Sequence, residues 1–366
     1  MWLGERSPRF SKSDSYYEAK CLMPKNVTLK DVARRAGVSY QTVSKILRNQ
    51  MHVTPEVYAR VQSAVEELGY RPNVIARNLR TQSSHLIGYS WQPARQNFVN
   101  PILEHFEQSI VDAAERLGYH ILLFPQRDGT DLSSTYEDLV HTGRVDGFIL
   151  SDLGYNDGRI PALQRLNVPL VAFGRTESDH AFSYVDVDGA TGIRQAVEHL
   201  IQQGHRRIAM LGWPEESRVG ADRLEGYWQA MEGAGLDVDP AWIKRGAGEY
   251  DYGHDAALEL LRLNGRRRPT AIVTVFDLIA LGAVGAIQEL GYVPGRDVAV
   301  TGFDDMPQLR HFHPGLTSLR QPVWEVGQQV VQFLVQLLQG NTPEPPYSLL
   351  SPELVIRDSS QGYHPD

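Results

Sequence analysis

The stretch that most constrains this chain runs from Val27 to Gln50, VTLKDVARRAGVSYQTVSKILRNQ. It encodes two short helices around a tight turn. Thr28 is placed to cap the first helix, and Asp31, three residues on, to return the hydrogen bond. Val32, Ala33 and Ala36 recur at helical spacing and make one apolar face. Gly37 ends that helix and turns the chain, Val38 fills the corner, and Ser39 caps the next helix. The second helix, Tyr40 to Arg48, turns Val43, Ile46 and Leu47 inward. Its other face then carries Tyr40, Gln41, Thr42, Ser44, Lys45 and Arg48.

Such a face can read nucleic acid. Tyr, Gln, Thr and Ser offer donors and acceptors to base edges, while Lys and Arg suit guanine or phosphate. The geometry is that of a helix-turn-helix, whose second helix lies in a major groove. A small helical hairpin that only packs would show the same apolar pattern, so the following residues decide. A third helix starts with Thr54 as cap and Pro55 at the first helical position. Val57, Val61, Ala64, Val65 and Leu68 face inward, and Gly69 closes it.

Three runs now carry a resemblance: TLKDVARRAGVSYQTVSKIL from Thr28, ELGYRPNVIARNLR from Glu67, and HLIGY from His85. Together, in that order, they resemble the lactose-repressor/galactose-repressor family of bacterial transcription regulators. The resemblance extends more loosely along the body, in NVPLV (167–171), DVDGATGIRQAVEHLIQQGHRRIAMLG (186–212), RLEGY (223–227) and DLIALGAVGAIQELGYVPGRDVAVTGFDD (277–305). It implies a dimer whose heads each read half of a near-palindromic double-stranded DNA operator. Asn73 to Arg80 then corresponds to a short hinge helix, with Ile75, Ala76 and Leu79 as an apolar stripe. Leu79 matches the leucine that wedges into a minor-groove step, where an apolar side chain kinks the duplex. Candidate nucleic-acid contacts are Thr28, Ser39, Tyr40, Gln41, Thr42, Ser44, Lys45, Arg48, His52, Thr54, Asn73, Ala76, Arg77 and Leu79.

Charge divides the chain in a way that fits. The net charge of −8 looks wrong for a DNA binder, yet residues 24–80 carry ten basic and four acidic side chains, or +6. Residues 1–23 carry +1, which leaves −15 on the remaining 286 residues. Phosphate neutralisation would therefore fall to the head, and the acidic body would be repelled from the duplex. No apolar run approaches a membrane span, and the N-terminus lacks the layout of a signal peptide. A single cysteine, Cys21, excludes a disulfide framework and a cysteine-built zinc site. The expected compartment is the cytoplasm. Residues 1–23 have no period, and PKNVTLKDVA after Met23 is a usual opening for such chains. The extension is expected to be disordered or to lie upstream of the true start.

From Ser84 onward apolar strand-like runs alternate with amphipathic helices, as in HILLFP (120–125), GFILS (147–151), RIAMLGW (207–213), TAIVTVF (270–276) and VAVTGFDD (298–305). That alternation calls for parallel sheets covered on both faces. The strands are too many for one sheet, so two doubly wound subdomains are expected, and the resemblance implies periplasmic-binding-protein-like lobes joined by three crossovers. The expected division is an extension (1–23), a helix-turn-helix domain (24–70), a hinge and linker (71–83) and an α/β effector-binding and dimerisation body (84–366). No leucine heptads follow the final strand, SPELVIRDS, which favours a dimer over a coiled-coil tetramer.

No catalytic constellation stands up. GxxxxGK[ST], GxGxxG, GxSxG and HExxH are all missing, and His311 and His313 make a poor metal pair. His205 reads as a hydrogen-bonded structural histidine. Asp304 and Asp305 are adjacent on a strand and point to opposite faces, so they cannot easily serve one substrate. Neither cofactor, metal nor catalytic residue is expected. Ligands of doubly wound sheets bind beyond the carboxyl ends of the strands, which gathers Trp91, Gly174, Trp213, Phe276 and Asp304 near one cleft. By resemblance, Arg223, Asp304 and Gln321 match effector-holding positions, and Asp277 is as much a helix cap as a contact. At Phe276 the chain departs from the polar residue frequent in the family. With Trp91, Tyr184 and Trp213 it points to aromatic faces that suit a sugar effector. A purine corepressor, or a protein partner docking on the lobes, remains the alternative within the same fold; an enzyme or binding protein with an incidental head is the rival from another class.

Overall fold

The computed structural model describes residues 27–47, 52–71, 78, 83–91, 101–126, 132–176 and 181–362. The expected extension, Arg48 and the hinge residues Asn73, Ala76, Arg77 and Leu79 lie outside the described residues. The chain forms two compact units, Met1–Thr81 and Gln82–Asp366.

The first unit holds three helices: α1 (Leu29–Ala36), α2 (Tyr40–Ile46) and α3 (Pro55–Leu68). Thr28 and Asp31 make the full capping box, with Thr28 N–H donating to Asp31 Oδ2 at 3.0 Å. Gly37 takes φ 67°, the left-handed turn for which glycine is suited. Ser39 accepts from the Thr42 N–H at 3.1 Å and starts α2. Thr54 begins α3 without a side-chain cap bond. Val32, Ala33, Ala36, Val43, Ile46, Val61 and Ala64 close the small core.

The second unit is two lobes, each built on a six-stranded sheet. The first lobe orders its strands β2 (His120–Pro125), β1 (Leu86–Trp91), β3 (Gly147–Leu150), β4 (Leu170–Phe173), β5 (Ser183–Val187) and β11 (Tyr347–Leu350), all parallel. Helices α4 (Pro101–Arg116) and α11 (Val323–Leu338) cover one face, α5 (Leu132–His141) and α6 (Arg159–Arg165) the other. The second lobe orders β7 (Ile243–Arg245), β6 (Ile208–Gly212), β8 (Ala271–Thr274), β9 (Ala299–Phe303), β10 (Thr317–Arg320) and β12 (Glu353–Val355), with only β12 antiparallel. Helices α7 (Gly189–Gln202), α8 (Arg218–Gly233), α9 (Tyr250–Leu261) and α10 (Asp277–Glu289) pack on it. A Cβ on Gly253 or Gly282 would meet backbone of the facing helix, so glycine there lets α9 and α10 touch.

The first five strands of each lobe share one winding, the doubly wound arrangement in which a crevice opens at the carboxyl ends. The chain crosses between lobes three times, after β5, after β10 and between β11 and β12. Core strands such as β3, β6, β8 and β9 are buried at every residue, as parallel strands covered on both faces must be. Sequence patterning misses β5, β7 and β11, which are short or polar, and its helical period starts α8 only at Arg223, whereas the helix begins five residues earlier at Arg218, capped by Ser217.

Candidate nucleic-acid interface and ligand cleft

On α2 the exposed face is narrower than the sequence pattern implies. Tyr40 is 48% exposed, and Gln41 and Lys45 are also open to solvent. Thr42 is half-buried, its hydroxyl 2.8 Å from that of Ser39. Ser44 corrects the expectation: it is buried, at 8% exposure. A helix wedged against two others buries an arc wider than its Val43–Ile46 stripe, and Ser44, next to Val43, falls inside it. Thr28, Ser39, His52 and Thr54 are exposed.

The cleft of the second unit is a cavity of about 280 Å³ between the lobes. Its lining comes from strand ends: Asp152 after β3, Gly174 and Arg175 after β4, Asp186 and Val187 on β5, Trp213 after β6, Phe276 after β8, Asp304 after β9 and Gln321 after β10. Arg223, Phe276, Asp304, Gln321 and Trp213 thus come together as expected positions.

Arg223 is 4% exposed on the second turn of α8. Its guanidinium lies 3.6 Å from the centre of the Phe303 ring and 4.8 Å from that of Trp213, and it donates to the Val275 carbonyl. Its Nε is buried without a hydrogen-bond partner. Burial lowers its pKa to about 10, against the pull of Asp304 and other carboxylates. Asp304 accepts from Gln321 Nε2 at 2.5 Å. Burial pushes its pKa up to about 7, which Arg223 and Gln321 only partly offset. Its backbone sits at φ 120°, a strained value for a residue with a Cβ, fixed by the Asp304 N–H bond to Leu319 O at 2.7 Å. Asp305 turns away, held by Arg320 at 2.7 Å and Arg357 at 2.6 Å. The two carboxylates therefore serve different partners.

Three expected ligand positions do not line the cavity. Trp91 ends β1 at 39% exposure, continuing the face of Ile87 and Tyr89 past their covering cluster. Tyr184 sits two residues before Asp186, short of the strand end, and stacks on Tyr347 at 5.4 Å. Asp277 is fully buried and structural. It accepts from Ser318 Oγ at 2.5 Å and the Met306 N–H at 2.8 Å, fastening α10 to the β9–β10 segment. Gly302 leaves room for it, since a Cβ there would overlap Asp277 Oδ1.

Sequence reasoning missed Asp152, Arg175, Asp186, Arg218 and Asp222, all in the cavity wall. The position of Arg175 just past an apolar strand was the available signal. His205 is buried, with Nδ1 3.0 Å from Thr270 Oγ1. Among the described residues no His, Cys, Asp or Glu cluster could hold a metal, and no helix is long and apolar enough to cross a membrane.

A three-helix head with an open polar helix, and a two-lobed body enclosing a polar and aromatic cavity, define a ligand-responsive DNA-binding regulator. Residues 28–73 match the bacterial regulatory proteins, lacI family, and residues 197–360 the periplasmic binding protein-like domain. The chain is 31% identical to the HTH-type transcriptional repressor PurR of Proteus mirabilis over 335 residues, covering 91% of this chain and 96% of that protein. A transcriptional regulator CelR–cellobiose complex matches at TM-score 0.69 and 31% identity over 91% of this chain and 99% of that one. The lac repressor dimer bound to operator and the anti-inducer ONPF matches at TM-score 0.76 and 29% identity, over 92% and 100%. The chain belongs to the LacI family of bacterial regulatory proteins and is a DNA-binding transcription regulator.

Proposed function

We propose that this regulator is a homodimeric repressor of carbohydrate-use genes, released from a near-palindromic operator by a sugar inducer. The observation that carries the sugar is the cavity wall. Trp213 and Phe276 stand beside each other, ring centres 6.2 Å apart, next to Arg223, Asp304 and Gln321. Aromatic faces stack on the C–H side of a pyranose, while the carboxylate, amide and guanidinium bond its hydroxyls. Similarity to a regulator solved with cellobiose supports the same ligand class, and similarity to a dimer solved on operator supports the two-fold assembly.

In this reading residues 24–70 form the head, 71–83 the hinge and 84–366 the effector body. Tyr40, Gln41 and Lys45 meet the DNA, with Arg48 and the hinge residues Asn73, Ala76, Arg77 and Leu79 completing the contact. A regulator of this class works in the bacterial cytoplasm, where the DNA is. The body binds its ligand and does not transform it, a reading supported by relatives that are transcription regulators. Sugar shifts the lobes toward the arrangement it prefers, and operator affinity falls with the population of the DNA-competent one.

The test is fluorescence anisotropy on labelled DNA from the gene's own upstream region, with a panel of sugars and purines. Tight, salt-sensitive binding released by one sugar supports the proposal. Binding strengthened by a purine would replace the sugar inducer with a corepressor.

A further inference from the structure

Four charged side chains at one side of the cavity join the two lobes. Arg175 follows β4 and Asp186 lies on β5, both in the first lobe, whereas Arg218 and Asp222 lie one turn apart at the start of α8 in the second. Arg175 pairs closely with Asp222 across the lobes and stands 3.7 Å from Asp186 in its own. Asp222 is also held by Arg218 at 2.6 Å. All four side chains are less than one-fifth exposed, so charge left alone here is costly.

An interlobe ion pair this buried would lock the lobes unless both partners had somewhere to go. Here they have. We propose that Asp222 and Arg175 form an exchangeable interlobe clamp: together the lobes share Asp222 between Arg175 and Arg218, and on opening each lobe keeps an ion pair of its own. Arg175 moves the short distance to Asp186, and Asp222 stays with Arg218. Asp186 is fixed for that role, because its Oδ1 accepts the Val187 N–H at 2.8 Å in the closed arrangement. Burial raises its pKa to about 6, as expected of a carboxylate whose own arginine is mostly engaged elsewhere. The two states thus carry nearly balanced electrostatics, which lets modest ligand contacts choose between them.

The clamp extends the effector reading by supplying its moving part, but its test needs neither ligand nor DNA. Nitroxide labels at Thr135→Cys on α5 and Glu232→Cys on α8, in the full chain carrying Cys21→Ser, report the interlobe distance by electron–electron resonance. Asp222→Asn removes the shared partner of a largely buried pair and shifts the closed-to-open ratio about tenfold or more toward open. Asp186→Asn removes the fallback, and the ratio shifts about as far toward closed. Opposite shifts in the two variants support the clamp; any other combination overturns it. A wrong effector class would leave these distances untouched and show only in the anisotropy panel.

Discussion

Arg223 and Phe303 stack, the guanidinium carbon 3.6 Å from the ring centre, so the arginine that faces the cavity is fixed from behind by an aromatic plate. In the proposed reading, what the stack and the Val275 carbonyl leave of the guanidinium contacts the ligand. Arg223→Lys keeps a cation but loses the planar fork and the stack, and it is expected to abolish the effector response while operator affinity stays within about twofold. Anisotropy with and without the inducer checks this. If operator binding disappears as well, and the thermal transition with it, the arginine is structural.

Asp304 predicts a pH dependence. Its folded pKa of about 7 lies above the ordinary 3.8, so ionising it costs more in the folded chain than in the unfolded one. The corresponding stability is fully present below the ordinary value and is lost as pH rises through about 7. Asp186, raised to about 6, adds to the same slope. Asp304→Asn, which still accepts from Gln321, is expected to flatten the fall of Tm across that window. Thermal melts of both proteins across the acid-to-neutral range decide it, and parallel curves would refute the assignment.

On the head, Gln41 and Lys45 are both exposed, and the proposed DNA contact gives them different work. Gln41→Ala should cost about 1–3 kcal/mol on the preferred site and relax its base preference. Lys45→Ala should weaken all sequences similarly and lower the salt slope by about 1. Binding to a set of operator variants at several salt concentrations separates the two.

Ile46 is 3% exposed in a core of very few side chains. Ile46→Ala should cost about 2–5 kcal/mol, a large share of what a head this small can have. Operator binding is then lost. Because the head and the body are separate compact units, the melting transition of the body should be unmoved in calorimetry.

Much of the head was legible because its signals are local. Thr28 with Asp31, Gly37 and Ser39 fix caps and turn within a dozen residues, and each takes its expected place. Ser44 escaped because burial on α2 depends on where two other helices sit, which no single-helix period contains. In the body the apolar strands were plain, but β5 carries Asp186 and Tyr184 and does not look buried until its neighbours are known. The positions near Arg223 and Asp304 came from family resemblance. Arg175 and Asp222, 47 residues apart, have no sequence pattern that pairs them. Trp91 and Tyr184 misled for the opposite reason: an aromatic near a strand end is easy to see, and the face it takes depends on one residue of register.

The three crossings between the lobes also set an order of assembly. The first lobe lacks α11 and β11 until residue 350 has been made, and the second lacks β12 until residue 355. During synthesis neither lobe can close its sheet before almost the whole chain has left the ribosome, whereas the head, complete by residue 70, has every piece it needs at the outset. A newborn chain therefore presents a finished DNA-reading head attached to an unfinished sensor, and truncation before residue 350 damages both lobes at once.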